Sequence, residues 1–512
     1  IVGSGLTVTN SGTITGGLGG DGTTRANAIT FTGGANILQL QGGSTINGNI
    51  AVTGSLNFSQ GTNATLSNVI TGTGSVSKSD VGVLTLSGSN TYSGSTTINA
   101  GTVSASADAN LGNAAGGLTL DGGTLRLGAS FDLAGTRAIT LNAGGGTVDT
   151  NSFDTTVSQG IAGTGGLTKS GAGTLILTGA NSYGGGTTVS AGTLQGNATS
   201  LQGAITNNAA VTFDQTGTGT YAGNMSGSGS LAKQNTGTLI LTGTNSYGGG
   251  TTVSAGTLQG NTTSLQGAIT NNAAVVFDQT GTGTYAGAMS GSGSLAKQNT
   301  GTLILTGSNS YGGGTTVSAG TLQGNATSLQ GAITNNAAVV FNQAGLGTFG
   351  GNMSGAGSLT VQGGGTVFLS GTNSYSGGTT VAAGSGLQGN TNSLQGNIVN
   401  NGVAVSFEQT FNGTYAGNMS GTGALIKNGS GTLTLSGVNT YGGATTVNAG
   451  TLAVNGSITS NVTVNGGGML GGSGTIVGNM TSSGTLTPGN SIGTLNINGS
   501  FTQNGGIYQV EV

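Results

Sequence analysis

The feature that most constrains this chain of 512 residues is an internal repeat. Each copy opens with Gly-Thr-Leu-Ile-Leu or a close variant, at Gly173, Gly237, Gly301, Gly365 and Gly431, with a more diverged copy at Gly82. The residue numbers of the first five openings differ by 64, 64, 64 and 66, and the segments 173–236 and 237–300 differ at only four aligned positions. Near-identical units fold as a stack in which each unit contacts its neighbours, rather than around one globular core.

Apolar residues within each repeat form short runs that alternate with polar residues, as in Thr174–Leu177 and Thr187–Val189. Alternation with a period of two predicts half-buried β-strands. Helices are disfavoured because the chain holds 111 glycines, and each glycine costs about 1 kcal/mol in a helix relative to alanine. The sequence therefore predicts an all-β fold.

The length of the repeat predicts a β-solenoid. A repeat of this length divides into three coils of roughly 21 residues, a usual coil length for solenoids. Short strands joined by Gly, Asn and Ser turns would stack into parallel sheets. Some 24 coils would then give an elongated rod of roughly 115 Å. Because one repeat would equal three coils, Tyr183 and Tyr247 are expected on the same side of the rod.

The composition excludes several classes of function. Charged residues make up 4% of the chain, the formal net charge is −3, and there is no His and no Cys. Ser-His-Asp and Cys-His triads, disulfides and thiolate metal sites are therefore ruled out. Clustered Lys and Arg for nucleic acid are missing, and no apolar run approaches the ~20 residues of a membrane helix. We predict no enzyme, no catalytic residue, no cofactor, no metal, no nucleic-acid partner and no membrane insertion of this segment.

A carbohydrate-active solenoid could still work with carboxylates, and their supply is small. It consists of Asp21, Asp80, Asp108, Asp121, Asp132, Asp149, Asp154, Asp214, Asp278, Glu408 and Glu511. Asp214 and Asp278 share one repeat position with Asn342 and Glu408, so a role in the repeated face is expected there. The one local charge cluster consists of Asp121, Asp132, Asp149 and Asp154 with Arg126 and Arg137. It is either a carbohydrate groove or a solvated face of less regular coils.

The segment Gly16–Gly22 resembles a single calcium-binding nonapeptide of the repeats-in-toxin class. Such a site needs neighbouring copies to complete its oxygen ligands, and only one copy is present, so calcium is not expected.

Two further residue types recur in the repeat. A lysine four residues before the opening glycine is expected to pair with a carboxylate of a neighbouring coil or to be a solubilising charge on a bare face. The series is Lys78, Lys169, Lys233, Lys297, Val361 and Lys427. The aromatic residues are expected in the core or in turns, with a sugar-stacking ladder as the alternative; they include Tyr183, Tyr247, Phe213, Phe277, Phe341, Phe407, Tyr221, Tyr285, Phe349 and Tyr415.

The succession of Gly229–Lys233, Gly237–Leu241, Asn245–Tyr247 and Ala255–Leu258 resembles the passenger-associated transport repeat of bacterial autotransporters, which use type V secretion. Six copies fall within about residues 74–455. The resemblance implies a right-handed parallel β-helix, exported through the periplasm and outer membrane to the cell surface by a translocator barrel of the same precursor chain.

The C-terminal segments Gly484–Leu495, Gly499–Gln503 and Tyr508–Val512 are similar to the end of such passengers. We therefore expect three regions: residues 1–165 with diverged coils and an early repeat copy near 74–103, residues 166–455 with the regular array, and residues 456–512 with C-terminal coils. The translocator barrel is absent from this sequence, and a signal peptide is expected to be removed or to lie outside it.

The leading hypothesis for function is an adhesin or self-association module that supports aggregation, biofilm growth or filament bundling, with self-association or a host surface ligand as partner. The alternatives are a passive stalk that presents an N-terminal effector and a solenoid that binds or cleaves carbohydrate. Ice binding ranks last because Thr-x-Thr at a regular coil spacing is not evident.

Overall fold

The computed structural model describes residues 1–489 and 493–509. The chain divides into two compact units, Ile1–Leu258 and Gln259–Val512. In both units, short strands pair in parallel with strands of the next coil. The helical segments among the described residues are two 3-10 turns, Asp108–Leu111 and Ala114–Gly116. The prediction of an all-β parallel solenoid is therefore confirmed.

The first unit and the residues up to Gly260 contain thirty-two short strands. They are Val2–Ser4, Thr7–Asn10, Thr13–Thr15, Ile29–Gly33, Ala35–Leu40, Thr45–Asn47, Ile50–Val52, Ser55–Ser59, Ala64–Leu66, Ile70–Gly72, Ser75–Ser79, Val83–Leu86, Thr96–Ile98, Thr102–Ala105, Leu118–Leu120, Thr124–Leu127, Ile139–Leu141, Gly146–Asp149, Thr155–Val157, Ile161–Gly163, Leu167–Ser170, Thr174–Leu177, Thr187–Val189, Thr193–Gly196, Ile205–Asn207, Ala210–Asp214, Thr218–Tyr221, Met225–Ser226, Ser230–Gln234, Thr238–Leu241, Thr251–Val253 and Thr257–Gly260.

The second unit continues the pattern of short strands, and its last coils contain two longer ones. Its strands are Ile269–Asn271, Ala274–Asp278, Thr282–Tyr285, Met289–Ser290, Ser294–Gln298, Thr302–Leu305, Thr315–Val317, Thr321–Gly324, Ile333–Asn335, Ala338–Asn342, Leu346–Phe349, Met353–Ser354, Ser358–Gln362, Thr366–Leu369, Thr379–Val381, Gly386–Gly389, Ile398–Asn400, Ala404–Glu408, Gly413–Tyr415, Met419–Ser420, Ala424–Asn428, Thr432–Leu435, Val438–Asn439, Thr445–Val454, Ser457–Ile458, Val462–Gly472, Thr475–Val477, Met480–Ser482, Thr485–Pro488, Asn496–Asn498, Phe501–Gln503 and Ile507–Tyr508.

The register of the strands gives the length of a coil. Thr302 pairs with Thr321, Thr321 with Ala338, and Ala338 with Ser358. The residue numbers of these partners differ by 19, 17 and 20. The expected coil length was a third of a repeat, roughly 21 residues, and each of these coils is shorter than that. The interior of the coils is filled by alternate residues of most strands, and the Leu, Ile, Val and Phe side chains at these inward positions are almost completely buried. The first and last strands, such as Val2–Ser4 and Phe501–Gln503, contribute no buried residue.

A repeat therefore covers three and a third coils, not three. Its ten successive segments, eight strands and two turns, occupy three faces; in the copy that starts at Gly301 they are Thr302–Leu305, 309–311, Thr315–Val317, Thr321–Gly324, 325–329, Ile333–Asn335, Ala338–Asn342, Leu346–Phe349, Met353–Ser354 and Ser358–Gln362. The opening strand Thr302–Leu305 lies in one sheet, and the next opening strand, Thr366–Leu369, lies in another. Each repeat is thus rotated by one face relative to the previous repeat.

This rotation corrects the expected placement of the repeated tyrosines. The backbone N–H of Ser182 donates to the carbonyl of Ile161, whereas that of Ser246 donates to Met225. Ile161 and Met225 belong to different sheets of the first unit. Tyr183 and Tyr247 therefore lie on different faces, because 64 is not a multiple of the real coil length.

Candidate functional site

The repeated lysines lie inside the solenoid. Lys169 pairs in register with Val148 of the preceding coil and Val189 of the following coil, so its side chain continues an inward-facing column. The five lysines of the series are at most 1% exposed. Both sequence-based expectations for them are wrong: they do not lie on a bare face, and no ion pair among the described residues contains one of them.

Each buried ammonium is held by carbonyl oxygens at a corner of the coil. Lys169 Nζ donates to the carbonyls of Ser170, Gly171 and Ala191 at 3.0, 2.8 and 2.9 Å. The same three positions accept from Lys233, Lys297 and Lys427. Burial lowers the pKa of Lys169 and of Lys427 to about 8. In the sequence, the alternation of apolar and polar residues puts this lysine at an inward position. That alternation could have predicted that the lysine is buried.

Val361 occupies the lysine position in one copy and shows that the position belongs to the core. It pairs with Phe341 and Val381 and is completely buried. The corner there is built differently, with positive φ angles at Gly363 and Gly364. The N–H of Gly364 donates to Ser385 Oγ at 3.1 Å. A side-chain hydroxyl thus takes part in fixing this corner without an ammonium.

The Asn-x-Tyr motif joins three coils at one of the two segments of the repeat that are turns and not strands. In the second unit, Asn309 Oδ1 accepts from the N–H of Met289 and its Nδ2 donates to the carbonyl of Ser328. Two residues later, the buried hydroxyl of Tyr311 lies 2.6 Å from Thr315 Oγ1. All six copies contain this tyrosine–threonine pair, namely Tyr92–Thr96, Tyr183–Thr187, Tyr247–Thr251, Tyr311–Thr315, Tyr375–Thr379 and Tyr441–Thr445.

The other repeated aromatic residues pack against each other in the core. Phe213 and Tyr221 form an edge-to-face pair with ring centroids 5.2 Å apart, and Phe277–Tyr285, Phe341–Phe349 and Phe407–Tyr415 repeat it. These eight rings are at most 2% exposed. The expectation of core packing is therefore confirmed, and the sugar-stacking ladder is wrong for these residues.

The repeated carboxylates form side-chain ladders between coils. Asp214 accepts hydrogen bonds from Gln195 Nε2 and Asn235 Nδ2. Glu408 occupies the equivalent position and accepts from Gln388 and Asn428, each at 2.8 Å. Those bonds, with one from Ser406, lower the pKa of Glu408 against the opposing effect of its burial. The position therefore connects three coils, as expected for a repeated face.

The charge cluster of the diverged coils does not converge on one site. Arg137 is completely buried and makes a bidentate pair with Asp108, with Nε–Oδ1 at 2.8 Å and a second nitrogen at 2.9 Å from Oδ2. Arg126 makes a longer, exposed contact of 3.5 Å with Asp149.

The remaining carboxylates of the cluster bind backbone N–H groups of the next coil. Asp121 accepts from Gly144, Asp132 from Thr156, and Asp154 from Thr174. These contacts favour the interpretation as irregular coils over the carbohydrate groove.

The glycine-rich loop near the N terminus is closed by its own aspartate. Asp21 accepts from the N–H groups of Thr23 and Thr24 and from the Thr24 hydroxyl. These bonds lower the pKa of Asp21 to about 2. Within residues 1–489 and 493–509, no three His, Cys, Asp or Glu side chains lie close enough together to hold a metal ion. No helix in the same residues is long and apolar enough to cross a membrane.

An outward surface that the sequence analysis missed lies beside the turn 261–266. It is an indentation of about 340 Å³ lined by Thr262, Gln266, Gly267, Thr284, Tyr285 and Gly287. The signal available in the sequence was the glutamine that recurs in every Ser-Leu-Gln-Gly turn, at Gln202, Gln266, Gln330 and Gln395.

Comparison with known families agrees with this architecture. The model of the passenger-associated transport repeat matches six segments, residues 76–105, 167–195, 231–259, 295–323, 359–385 and 425–454. The chain contains six passenger-associated transport repeats. Each matched segment contains the corner lysine or Val361 together with the Tyr–Thr pair, so the family repeat coincides with the contacts that hold the coils of this chain together.

The chain is also similar to a curated protein, the adhesin BmaC autotransporter of Brucella suis biovar 1 (strain 1330). The two are 41% identical over 199 residues, which is 38% of this chain and 6% of that protein. The match thus covers a small part of the relative. No solved structure was found to match the chain.

The segments that resemble a passenger's end form the last coils of the second unit. Thr485–Pro488 and Met480–Ser482 both pair with the long strand Val462–Gly472. Residues 490–492 and 510–512, which belong to the two terminal motifs and include Glu511, lie outside the described residues.

Proposed function

We propose that this chain is part of an autotransporter passenger and acts as an adhesive module displayed at the bacterial surface, where it binds other cells, copies of itself or a host surface. The observation that carries the proposal is the regular repetition of one neutral, polar outer surface. Near-identical repeats present the same Thr, Asn and Gln side chains in every copy, and weak contacts that repeat on one molecule add through effective concentration. The low charge removes the repulsion that would otherwise keep such surfaces apart.

Two further observations support adhesion over catalysis. The curated relative is named an adhesin. The ionisable side chains described above are engaged with backbone groups, amides or each other, as Lys169, Asp154 and the Arg137–Asp108 pair are. We therefore propose that the passenger catalyses no reaction, and that its translocator belongs to the same precursor.

The test is display of the passenger, fused to its own translocator, on a non-adhesive bacterial host. We expect displaying cells to sediment as clumps or to adhere to host cells, whereas cells with the translocator alone stay dispersed. Displaying cells that neither clump nor adhere, with the passenger shown at the surface by antibody, would contradict the proposal.

A passive stalk is the second candidate, because the motifs common to all six copies are used inside the solenoid. Lys297 and Tyr311, for example, bind groups of their own and neighbouring coils. If the stalk is correct, adhesion is lost when a preceding effector domain is removed and is unaffected by substitutions on the outer surface of residues 173–455.

A further inference from the structure

The indentation beside the turn 261–266 lies where a sheet of the second unit begins. Thr282–Tyr285 is the first strand of its sheet, and the neighbouring coil contributes a turn instead of a strand. The turn is fixed to that strand's coil, because the N–H of Thr262 donates to Gln279 Oε1 at 3.1 Å. Gly283 lets the two segments approach, since a Cβ there would lie 2.0 Å from Thr262 Oγ1. The interruption of the sheet leaves the recess.

Two side chains give the recess fixed hydrogen-bonding groups. Gln266 Nε2 donates to the carbonyl of Thr262 at 2.5 Å, which holds the amide in place. Gln266 Oε1 has no partner among the described residues, and neither does the hydroxyl of the exposed Thr284. The wall behind them is rigid, because the Tyr285 hydroxyl donates to the carbonyl of Gly267 at 2.7 Å. The recess therefore offers an acceptor and a hydroxyl on a rigid frame.

The chemistry of the lining selects the ligand class. No Asp, Glu, Lys or Arg lines the recess, so a charged ligand would lose hydration without gaining a counter-charge. An apolar ligand would cover the Gln266 and Thr284 oxygens without satisfying them. Its volume of about 340 Å³ is at the lower end of the range of roughly 300–1,000 Å³ for small-molecule sites. We propose that the recess is a subsite for a neutral saccharide unit.

This proposal rests on the adhesive function and names the class of surface ligand. It is strengthened because each full repeat contains the same glutamine and threonine, although Phe349 replaces the wall tyrosine in one copy. The amides of Gln202, Gln330 and Gln395 each donate to the carbonyl four residues earlier, at 3.2, 2.6 and 2.5 Å. An exposed threonine occupies the position of Thr284 in every copy, at Thr220, Thr348 and Thr414.

Because each repeat is rotated by one face, the copies of the recess in the second unit lie on different sides of the solenoid. The strand Thr282–Tyr285 pairs with Thr302–Leu305, Leu346–Phe349 pairs with Thr366–Leu369, and Gly413–Tyr415 pairs with Thr432–Leu435. These are the opening strands of successive repeats, each one face further around the solenoid. Three saccharide subsites on three faces let one unit hold more than one glycan chain, and the affinities of weak subsites combine on a branched glycan.

The experiment measures binding of the full 512-residue chain to a panel of neutral oligosaccharides built from glucose, galactose, mannose and N-acetylglucosamine, beside sulfated and sialylated counterparts. The test variant carries Gln202→Leu, Gln266→Leu, Gln330→Leu and Gln395→Leu. The matched control carries Thr188→Ala, Thr252→Ala, Thr316→Ala and Thr380→Ala, four outward positions on strands away from the recess. Circular dichroism checks that both fold.

We expect at least one neutral oligosaccharide to bind, at least a tenfold loss of affinity in the glutamine variant, and less than a twofold change in the control. If the glutamine variant does not fold, the exposed set Thr220→Ala, Thr284→Ala, Thr348→Ala and Thr414→Ala is measured instead, with the same expectation. The proposal is overturned if no neutral oligosaccharide binds, if anionic ones bind equally well, or if the folded variant binds as tightly as the wild type. Displaying cells that still clump in those cases would leave the adhesive function standing and remove only the saccharide subsite.

Discussion

The ammonium of Lys169 lies 2.9 Å from the carbonyl oxygen of Ala191, which belongs to the next coil of the first unit. A charged donor thus closes a corner that two stretches of backbone share. All five lysines of the chain are used in this way, because a flexible four-carbon stem can pack among apolar residues while its ammonium satisfies three carbonyls.

Removal of one corner ammonium should loosen that corner. In Lys297→Met, the stem is kept but the carbonyls of Gln298, Asn299 and Ala319 lose their charged donor. We expect a local loss of about 2 kcal/mol, since hydrogen bonds to charged groups contribute roughly 1.5–3 kcal/mol. Amide hydrogen exchange of residues 318–322 should accelerate by about 30-fold. Thr316→Ala, at an outward position of the strand that pairs with the strand of Lys297, is the control, and an equal effect there would contradict the explanation.

The stability of the first unit should rise between pH 8 and pH 9.5. Burial lowers the pKa of Lys169 to about 8, whereas a lysine in an unfolded chain titrates near 10.4. Between these values the unfolded chain binds more protons than the folded one, so increasing pH favours the folded state. Urea midpoints at pH 7.5 and 9.5 measure the effect. In Lys169→Met the increase should become smaller, and an unchanged increase would assign it to other groups.

The buried hydroxyl pair of each repeat should behave as a coupled unit. Tyr247→Phe leaves Thr251 Oγ1 without its tyrosine partner at a site only 4% exposed, and we expect a cost of about 1–2 kcal/mol. Thr251→Val leaves the Tyr247 hydroxyl in the same position. The double variant removes both polar groups and should cost less than the sum of the single variants. A double-variant cycle of urea unfolding measures the coupling, and strict additivity would show that the pair does not interact.

The two arginine contacts of the diverged coils should differ greatly in importance. Arg137 is completely buried, and Arg137→Met removes the charged donor of Asp108 and of the carbonyls of Leu111 and Gly112. Asp108 keeps the N–H of Ala134, and the carbonyl of Leu111 keeps the Thr96 hydroxyl. We expect a loss of about 3 kcal/mol, because removing one partner of a buried pair is strongly destabilising. The exposed contact of Arg126 with Asp149 is the control, and Arg126→Met should change stability by less than about 1 kcal/mol. Thermal unfolding of both variants compares them, and equal shifts would contradict the assignment.

Much of the fold was predictable from the sequence, because alternation and repetition of residues specify strands and their stacking. The alternation in Thr174–Leu177 specifies a strand with one buried face, and the repetition specifies stacking. The placement of Lys169 followed from the same alternation, but its charge suggested an exposed face. The sequence does not state that backbone carbonyls would gather around the ammonium, because that depends on how the corner at Ala191 stacks on the coil before it.

The candidate site was less predictable. Gln266 is unremarkable as one of many amides in the sequence, and Thr284 is one of many threonines. They form a candidate site only because the strand Thr282–Tyr285 lies one coil after the turn 261–266. Coil length decides which strand lies beside this turn. The charge cluster around Asp121 and Arg126 was visible in the sequence, but its members serve different coils, since proximity in the chain is not proximity on a solenoid face.

The sequence by itself determined the class of fold, the repeating unit and the type of residue that each position accepts, because alternation and repetition act over a few residues. Only the tertiary structure decided that a repeat makes three and a third coils. The cause is physical: coil length is the sum of the strand and corner lengths that allow successive strands to pair in register, and in the array from Thr302 to Ser358 the paired residue numbers differ by only 19, 17 and 20. Because each of these coils is slightly shorter than a third of a repeat, every repeat turns to a new face.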